Sequence, residues 1–522
     1  MIDVLLLRPR TGNERFGLGP FFRVEPLGLE YVAAALRARG ARVTLRDERH
    51  DPFHRRRAPR ARLIGLSCMH ALEFDDVRRR VRQLRRRSPD AFLAVGGHAA
   101  SAFPAPLEIP ELDVIVVDDG EAVFPRLAEA IAAGRPLDQV PGLRRRTPDG
   151  WRSTPPLEDR ITLDEVPQPA RDLVARDRHR YHCLLFKPVW LVETARGCPF
   201  RCNFCSVWPL YDRSFRERSI GAVVDDLAAC GDSVFIVDDL FWNHPDRSLA
   251  LANALRERGV RKRWILVQSR TDLVARRPDL LEAWRPLARD FDIFFGLEAP
   301  SDHGLDRLTK DATVGETIEA ARVAREYRYG VTGNFVVDPD WGEDEFRILW
   351  NFVEAHKLQR AGYTILTPLP GTELHREHPT LRRDAPWFQY DMHHLLWEPR
   401  LGPRRFLELY AETWRRSILN LGGQKRWSDW MKQVRPSQIP YLTRVLLRTQ
   451  RLMKTGAYLK EYEEGKARRR EPASTRAEPP QGTRALMSAD HERGHLAGGI
   501  GRHRAPHDEA GHPEPTGLLA DR

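Results

Sequence analysis

No apolar run in this chain approaches the ~18 residues that a membrane-spanning helix needs, although 41% of its residues are hydrophobic. Cysteine is scarce. Six in 522 residues cannot make a disulfide scaffold, and they fit a reducing compartment better. Nor is there an aromatic-rich RNA platform or a helix-turn-helix pattern to accompany the net charge of +11, so nucleic-acid binding is not expected. The excess is arginine in short clusters such as Arg55-Arg56-Arg57, Arg78-Arg79-Arg80 and Arg85-Arg86-Arg87, which read as solvated helix faces. The opening Met1-Ile2-Asp3-Val4-Leu5-Leu6-Leu7-Arg8 is too short for a secretory signal and reads as a buried strand. A cytoplasmic location is the expectation.

What is present is strand–helix alternation over a length sufficient for two or three domains. Residues 1–140 hold candidate strands at Val4–Leu7, Val43–Leu45, Leu63–Ser67, Phe92–Val95 and Val114–Val117, with helical patterns at Leu27–Arg39, Phe74–Arg87 and Glu121–Ala132. That order predicts βαβ units and a parallel sheet. Ligands of such sheets bind at the carboxyl ends of the strands. Those ends carry Gly65-Leu66-Ser67, Gly96-Gly97-His98 and Gly120-Glu121, where glycine lets a ligand approach the backbone. Tight strand-to-helix turns would use the same residues.

Residues 141–184 have connector composition, with Pro141-Gly142, Pro148-Asp149-Gly150 and Pro155-Pro156 and room for one hairpin. Alternation then resumes, with strands expected at Trp190–Thr194, Val234–Val237, Ile265–Gln268, Ile293–Leu297, Thr332–Val337 and Tyr363–Thr367. Six such units fit a partial α/β barrel whose chemistry gathers at the strand ends. These ends present Asp238-Asp239, Ser269-Arg270, Glu298, Asp338 and Thr367-Pro368. Further on, Tyr441–Leu459 sets Leu442, Val445, Leu446, Leu452 and Met453 against Arg444, Arg448, Arg451 and Lys454. A basic amphipathic helix of this kind packs on its own domain or lies in a membrane surface.

After the first barrel strand comes Cys198-Pro199-Phe200-Arg201-Cys202-Asn203-Phe204-Cys205, spaced CxxxCxxC. Structural zinc wants four ligands in paired spacings, and Cys68, Cys183 and Cys230 stand alone, as small core residues would. An electron-carrying ferredoxin would need a fourth cysteine. Three thiolates on one loop instead favour an iron–sulfur cluster with one open iron.

With Phe204 before the last cysteine, this loop resembles that of the radical S-adenosylmethionine enzymes. The glycine-rich sheet ahead of it looks like the cobalamin-binding domain of one large branch of that family. Within that branch, Val237-Asp238-Asp239, Phe295-Gly296-Leu297-Glu298-Ala299, Val337-Asp338-Pro339-Asp340-Trp341, Thr367-Pro368-Leu369-Pro370-Gly371-Thr372-Glu373 and Phe388-Gln389-Tyr390-Asp391-Met392-His393-His394 are similar to the hopanoid C-3 methylases.

The resemblance implies an α/β protein in which a flavodoxin-like cobalamin-binding sheet (1–140) and a linker (141–184) precede a partial (β/α)6 barrel (185–375). A mainly helical region (376–466) and a disordered tail (467–522) follow. It implies a 4Fe–4S cluster on Cys198, Cys202 and Cys205, with S-adenosylmethionine chelated at the open iron. Asp238 or Asp239 would meet its amino group, Arg270 its carboxylate in a bidentate pair, and Glu298 its ribose. Cobalamin would rest on Gly65, Ser67, Gly96, Gly97, Gly120 and Glu121. One electron from an external donor would release a 5′-deoxyadenosyl radical that takes hydrogen from an unactivated carbon, and methylcobalamin would supply the methyl group. The implied partner is a small-molecule or lipid substrate, with peripheral contact at the inner membrane surface.

One departure stands out. Many cobalamin domains place an axial histidine in Asp-x-His-x-x-Gly, whereas this chain reads Asp47-Glu48-Arg49-His50-Asp51-Pro52. Cobalamin is therefore expected without a histidine from that motif. Two other readings remain at this stage: a radical cyclase of the magnesium-protoporphyrin ester type, and a non-catalytic cobalamin and cluster sensor.

Overall fold

The structure is a computed structural model. It describes residues 2–10, 22–50, 60–158, 160–183, 185–358, 360–378, 386–419 and 449–470, with isolated positions between 436 and 447. Most of the expected amphipathic stretch 441–448, and the expected tail beyond Arg470, lie outside the described residues.

The first domain is a sheet of β1 (Asp3–Arg8), β2 (Arg42–Asp47), β3 (Leu63–Ser67), β4 (Phe92–Gly96), β5 (Val114–Val116), β6 (Leu143–Thr147) and β7 (Gly150–Ser153). Its order is β2-β1-β3-β4-β5-β6-β7. The first five strands are parallel, with Val4 opposite Val43 on one side and Leu63 on the other. This is the flavodoxin-like winding, whose ligand crevice lies between β1 and β3 where the order reverses. Val4 to Leu7 are all buried, as expected of a strand covered on both faces. The hairpin foreseen at Pro148-Asp149-Gly150 forms, but it does not lie in a free linker. It pairs antiparallel with β5 and widens the first sheet.

Helices α1 (Leu27–Ala38), α2 (Phe74–Arg87), α3 (His98–Ala102) and α4 (Gly120–Ala133) accompany the sheet. In α2, Phe74, Val77, Val81 and Leu84 are buried, an i, i+3, i+7, i+10 stripe that leaves most arginines outward. Arg80 is the exception, buried against Glu48 with Nε at 3.0 Å.

The second domain strings β8 (Trp190–Val192), β11 (Ser233–Ile236), β12 (Lys262–Ser269), β13 (Ala288–Glu298), β14 (Gly330–Val337) and β15 (Ala361–Ile365) into one parallel six-stranded sheet. The short hairpin of β9 (Ala195–Gly197) and β10 (Phe215–Glu217) flanks it. Every barrel strand read from sequence is present, and each polar strand end falls at the carboxyl edge. The C-terminal region contributes α5 (Pro403–Leu419) and α6 (Thr455–Arg470).

The two domains share one apolar core. Val4, Leu6, Leu63 and Leu127 of the first belong to the same buried cluster as Val189, Trp264 and Leu266 of the second. Phe186 stacks on Trp264 at 4.0 Å. No helix among the described residues is long and apolar enough to cross a membrane.

Candidate active site

Gly197 turns the chain from β9 into the cysteine loop at φ +99°, and a Cβ there would run into the Ser214 carbonyl. Only glycine suits both demands. The loop is then tied down along its length. Cys205 N–H donates to the Cys202 carbonyl at 3.1 Å, Asn203 N–H to Leu308 at 3.2 Å, and Leu374 N–H to Asn203 at 3.2 Å. The Trp208 indole donates to the Cys202 carbonyl at 2.9 Å.

All three thiols are partly exposed and free. Burial raises Cys198, and pushes Cys202 to about 11 and Cys205 to about 12. Left to themselves they stay protonated; the positive charge of bound iron is what would draw out the thiolates. Among the described residues no three His, Cys, Asp or Glu side chains gather as ligands of a single ion. The donor set fits a cluster better than zinc. Cys68, Cys183 and Cys230 are buried, as small core residues.

The strand ends sort themselves around this loop. Asp238 is turned inward, accepting the Thr194 N–H at 2.6 Å and its hydroxyl at 2.5 Å. Asp239 instead lines the cavity beside the loop. Burial lifts both carboxyls to about 7, with Glu193 adding repulsion at Asp239. Arg270 lies 3.6 Å over the Phe200 ring of the cysteine loop. Its Nε donates to Asp272 at 2.9 Å and its Nη2 to the Asp311 carbonyl. Two of its five donors are so engaged, and Nη1 takes part in neither bond. Glu298, at φ +56°, pairs with Lys310 at 2.9 Å through Oε1. Asp338 is held by Arg307 at 2.9 Å.

The cavity that Asp239 lines measures about 520 Å³, and its lining comes from both domains. Its volume is that of a cofactor pocket. Gly65, Ser67, Gly96, Gly97, Gly120 and Glu121 all contribute from the first domain, and Glu193, Arg196, Tyr211 and Asp239 from the second. The glycines are small for another reason than ligand approach alone. A Cβ on Gly65 would meet Phe124 at 2.5 Å, on Gly96 Val116 at 3.3 Å, and on Gly120 Val32 at 3.1 Å. Packing of side chains against the sheet explains these three, and Gly97 turns at φ +114° against the Cys68 carbonyl. Glu121 is paired with Arg196 at 2.9 Å through Oε1.

That pair belongs to a cluster that the sequence reading missed. Arg196 also reaches Asp119 at 3.3 Å and Glu193 at 2.8 Å, while Arg216 takes Asp119 at 2.8 Å. Residues of the β9–β10 hairpin thus bind the end of β5 across the domain boundary. A second link joins His98 Nε2 to Ser206 Oγ at 2.9 Å, directly after Cys205. Arg196 and Ser206 flank the cysteine loop in sequence, but nothing local marks the partners they take. His393 and His394 are buried elsewhere, His393 on the Tyr410 hydroxyl and His394 between Asp391 and Glu461. His50 is packed on Tyr181 at 5.2 Å and does not line the cavity.

Two family models match the chain, the B12 binding domain over residues 20–128 and the Radical SAM superfamily over residues 192–353. The hopanoid C-3 methylase of Methylococcus capsulatus is 32% identical over 402 residues, 75% of this chain and 76% of that protein. The anaerobic magnesium-protoporphyrin IX monomethyl ester cyclase of Cereibacter sphaeroides is 30% identical over 60% of this chain and 52% of its own length. Among solved structures, the fold is shared with the radical S-adenosylmethionine methyltransferase TsrM of Kitasatospora setae, which was solved with cobalamin and a 4Fe–4S cluster. That likeness has a TM-score of 0.59 at 20% identity and covers 72% of this chain and 77% of that one.

Proposed function

The chain belongs to the cobalamin-binding radical S-adenosylmethionine family that includes hopanoid C-3 methylase, and we propose that it methylates an unactivated carbon of a hopanoid or related polycyclic lipid. It is a cobalamin-dependent radical S-adenosylmethionine methyltransferase. The observation that carries the reading is the cavity. It runs from the strand ends of a flavodoxin-like sheet to Asp239 and Tyr211 beside the cysteine loop.

Cys198, Cys202 and Cys205 would hold the 4Fe–4S cluster. Asp239, not the inward-turned Asp238, would meet the S-adenosylmethionine ammonium. Arg270 would give one nitrogen to its carboxylate, and Glu298 Oε2 would face the ribose. When bound, the cluster and S-adenosylmethionine supply a carbon-centred radical, and cobalamin supplies the methyl group. The chain itself binds, orients and excludes water. An external one-electron donor completes the system, and the lipid class of the substrate favours working at a membrane surface.

The test is anaerobic incubation of the reconstituted protein with S-adenosylmethionine, a reductant and a hopanoid-containing lipid extract. Methylation yields 5′-deoxyadenosine, S-adenosylhomocysteine and one lipid heavier by a methylene. If 5′-deoxyadenosine forms without S-adenosylhomocysteine, the methylation reading falls and cyclisation takes its place.

A further inference from the structure

One cavity side chain has no task in the account above. His70 sits three residues beyond Ser67 on the turn leaving β3. The residue keeps accessible surface and lines the cavity, while the walls around it leave its ring largely desolvated. Its ring makes no hydrogen bond to any described residue. The other cavity histidine, His98, is committed to Ser206 at 2.9 Å.

The turn that presents His70 is fixed on three sides. Met69 N–H donates to Glu73 at 2.8 Å. Arg8 forks onto the same carboxylate at 2.9 and 2.5 Å and touches the Ser67 hydroxyl at 3.3 Å. Behind the turn, a Cβ on Gly97 would stand 2.7 Å from the Cys68 carbonyl oxygen, so the two loops are packed with no slack. A rigid turn that spends every hydrogen bond on its frame and none on its imidazole leaves that imidazole for a ligand.

We infer that His70 gives its imidazole nitrogen to the cobalt of bound cobalamin, on the corrin face turned toward the first domain. This rests on cobalamin occupying the cavity. Burial lowers the basicity of the ring, so at neutral pH it is uncharged and its lone pair is free for a metal. Glu73 stays ionised beside it: burial opposes the charge, but Arg8 prevails and brings the carboxyl to about 2. Its oxygens are taken by Arg8 and the Met69 N–H, so the carboxylate holds the turn and leaves the imidazole unbonded. His50 does not line the cavity, in keeping with the expectation that the Asp47–Pro52 stretch supplies no axial histidine; His70 arrives from a different strand.

Electron paramagnetic resonance of the full-length protein loaded with cobalamin and reduced to the cobalt(II) state tests the inference. The unpaired electron then lies along the axial bond, so one axial ¹⁴N splits each cobalt line into three and one ¹⁵N into two. We expect three-line splitting in unlabelled protein, two-line splitting after growth on ¹⁵N-histidine, and none in His70→Ala with cobalamin retained. Three lines persisting in labelled protein would assign the nitrogen to the cofactor's own base and overturn the inference. So would splitting absent from the wild type or retained in His70→Ala. The labelling decides on wild-type protein alone should the variant not fold. A wild type that retains no cobalamin overturns the cavity assignment beneath it.

Discussion

The Arg270 guanidinium lies 3.6 Å from the centre of the Phe200 ring, so the end of β12 is stacked on the loop that carries the three cysteines. A desolvated cation–π contact contributes about 2 kcal/mol, and Arg270 also neutralises the buried Asp272. Arg270→Ala should cost about 3–5 kcal/mol, since it strands that carboxylate. Arg270→Lys should recover only part, because lysine lacks the planar face and the fork. Urea unfolding measures both, and an alanine variant as stable as the wild type would remove the stack from the account.

Cys202→Ala should abolish iron and sulfide incorporation and 5′-deoxyadenosine formation together. Iron and sulfide assay on the anaerobically reconstituted variant, beside turnover, checks this. A variant that keeps turnover would sink the cluster assignment.

Asp239 titrates at about 7 because burial and Glu193 disfavour its charge. Only the ionised form attracts an ammonium group. S-adenosylmethionine binding should therefore tighten as pH rises through about 7, and Asp239→Asn should bind weakly with a flattened profile. Equilibrium binding across that range decides it. A wild type indifferent to pH would exclude Asp239 from the contact.

Arg196 joins Asp119, Glu121 and Glu193 from two domains. Replacing it with methionine leaves these acids facing one another in a buried place, at a cost of about 3–5 kcal/mol. Pairing the change with Glu121→Gln should restore part of the loss. Thermal denaturation of the single and double variants reads the coupling, and strict additivity would refute it.

Burial opposes a charge on His394, yet Asp391 and Glu461 lift it to about 9, above its unfolded value near 6.5. Its contribution is complete below about 6.5 and fades as pH rises through about 9. The linkage is worth roughly 3 kcal/mol at most. Stability measured at pH 6 and again above 9 should fall in the wild type, and fall less in His394→Gln.

Strand positions were legible because both sheets are buried on two faces, and runs such as Leu63-Ile64-Gly65-Leu66 have no other stable home. The cysteine loop was legible because its three cysteines are neighbours in sequence. What stayed hidden were pairings between distant segments. Arg196 and Glu121 are 75 residues apart, and nothing local marks either as the other's partner. The choice between Asp238 and Asp239 also needed coordinates. Adjacent residues of a strand end point to opposite sides, and only the position of Thr194 says which side is inside. Arg270 was singled out by type and place, but its bonds to Asp272 and Asp311 were not legible.

The core that runs from Val4 and Leu6 into Trp264 and Leu266 has a bearing on how far the two domains can move apart. The two domains meet there in one buried apolar cluster, so the first cannot be trimmed away without laying bare Trp264 of the second. The width of the gap between the walls is a dimension fixed when the chain folds, not a setting chosen when ligands arrive. A ligand meets a gap already set, and the two walls cannot part on that side without opening the apolar core they share.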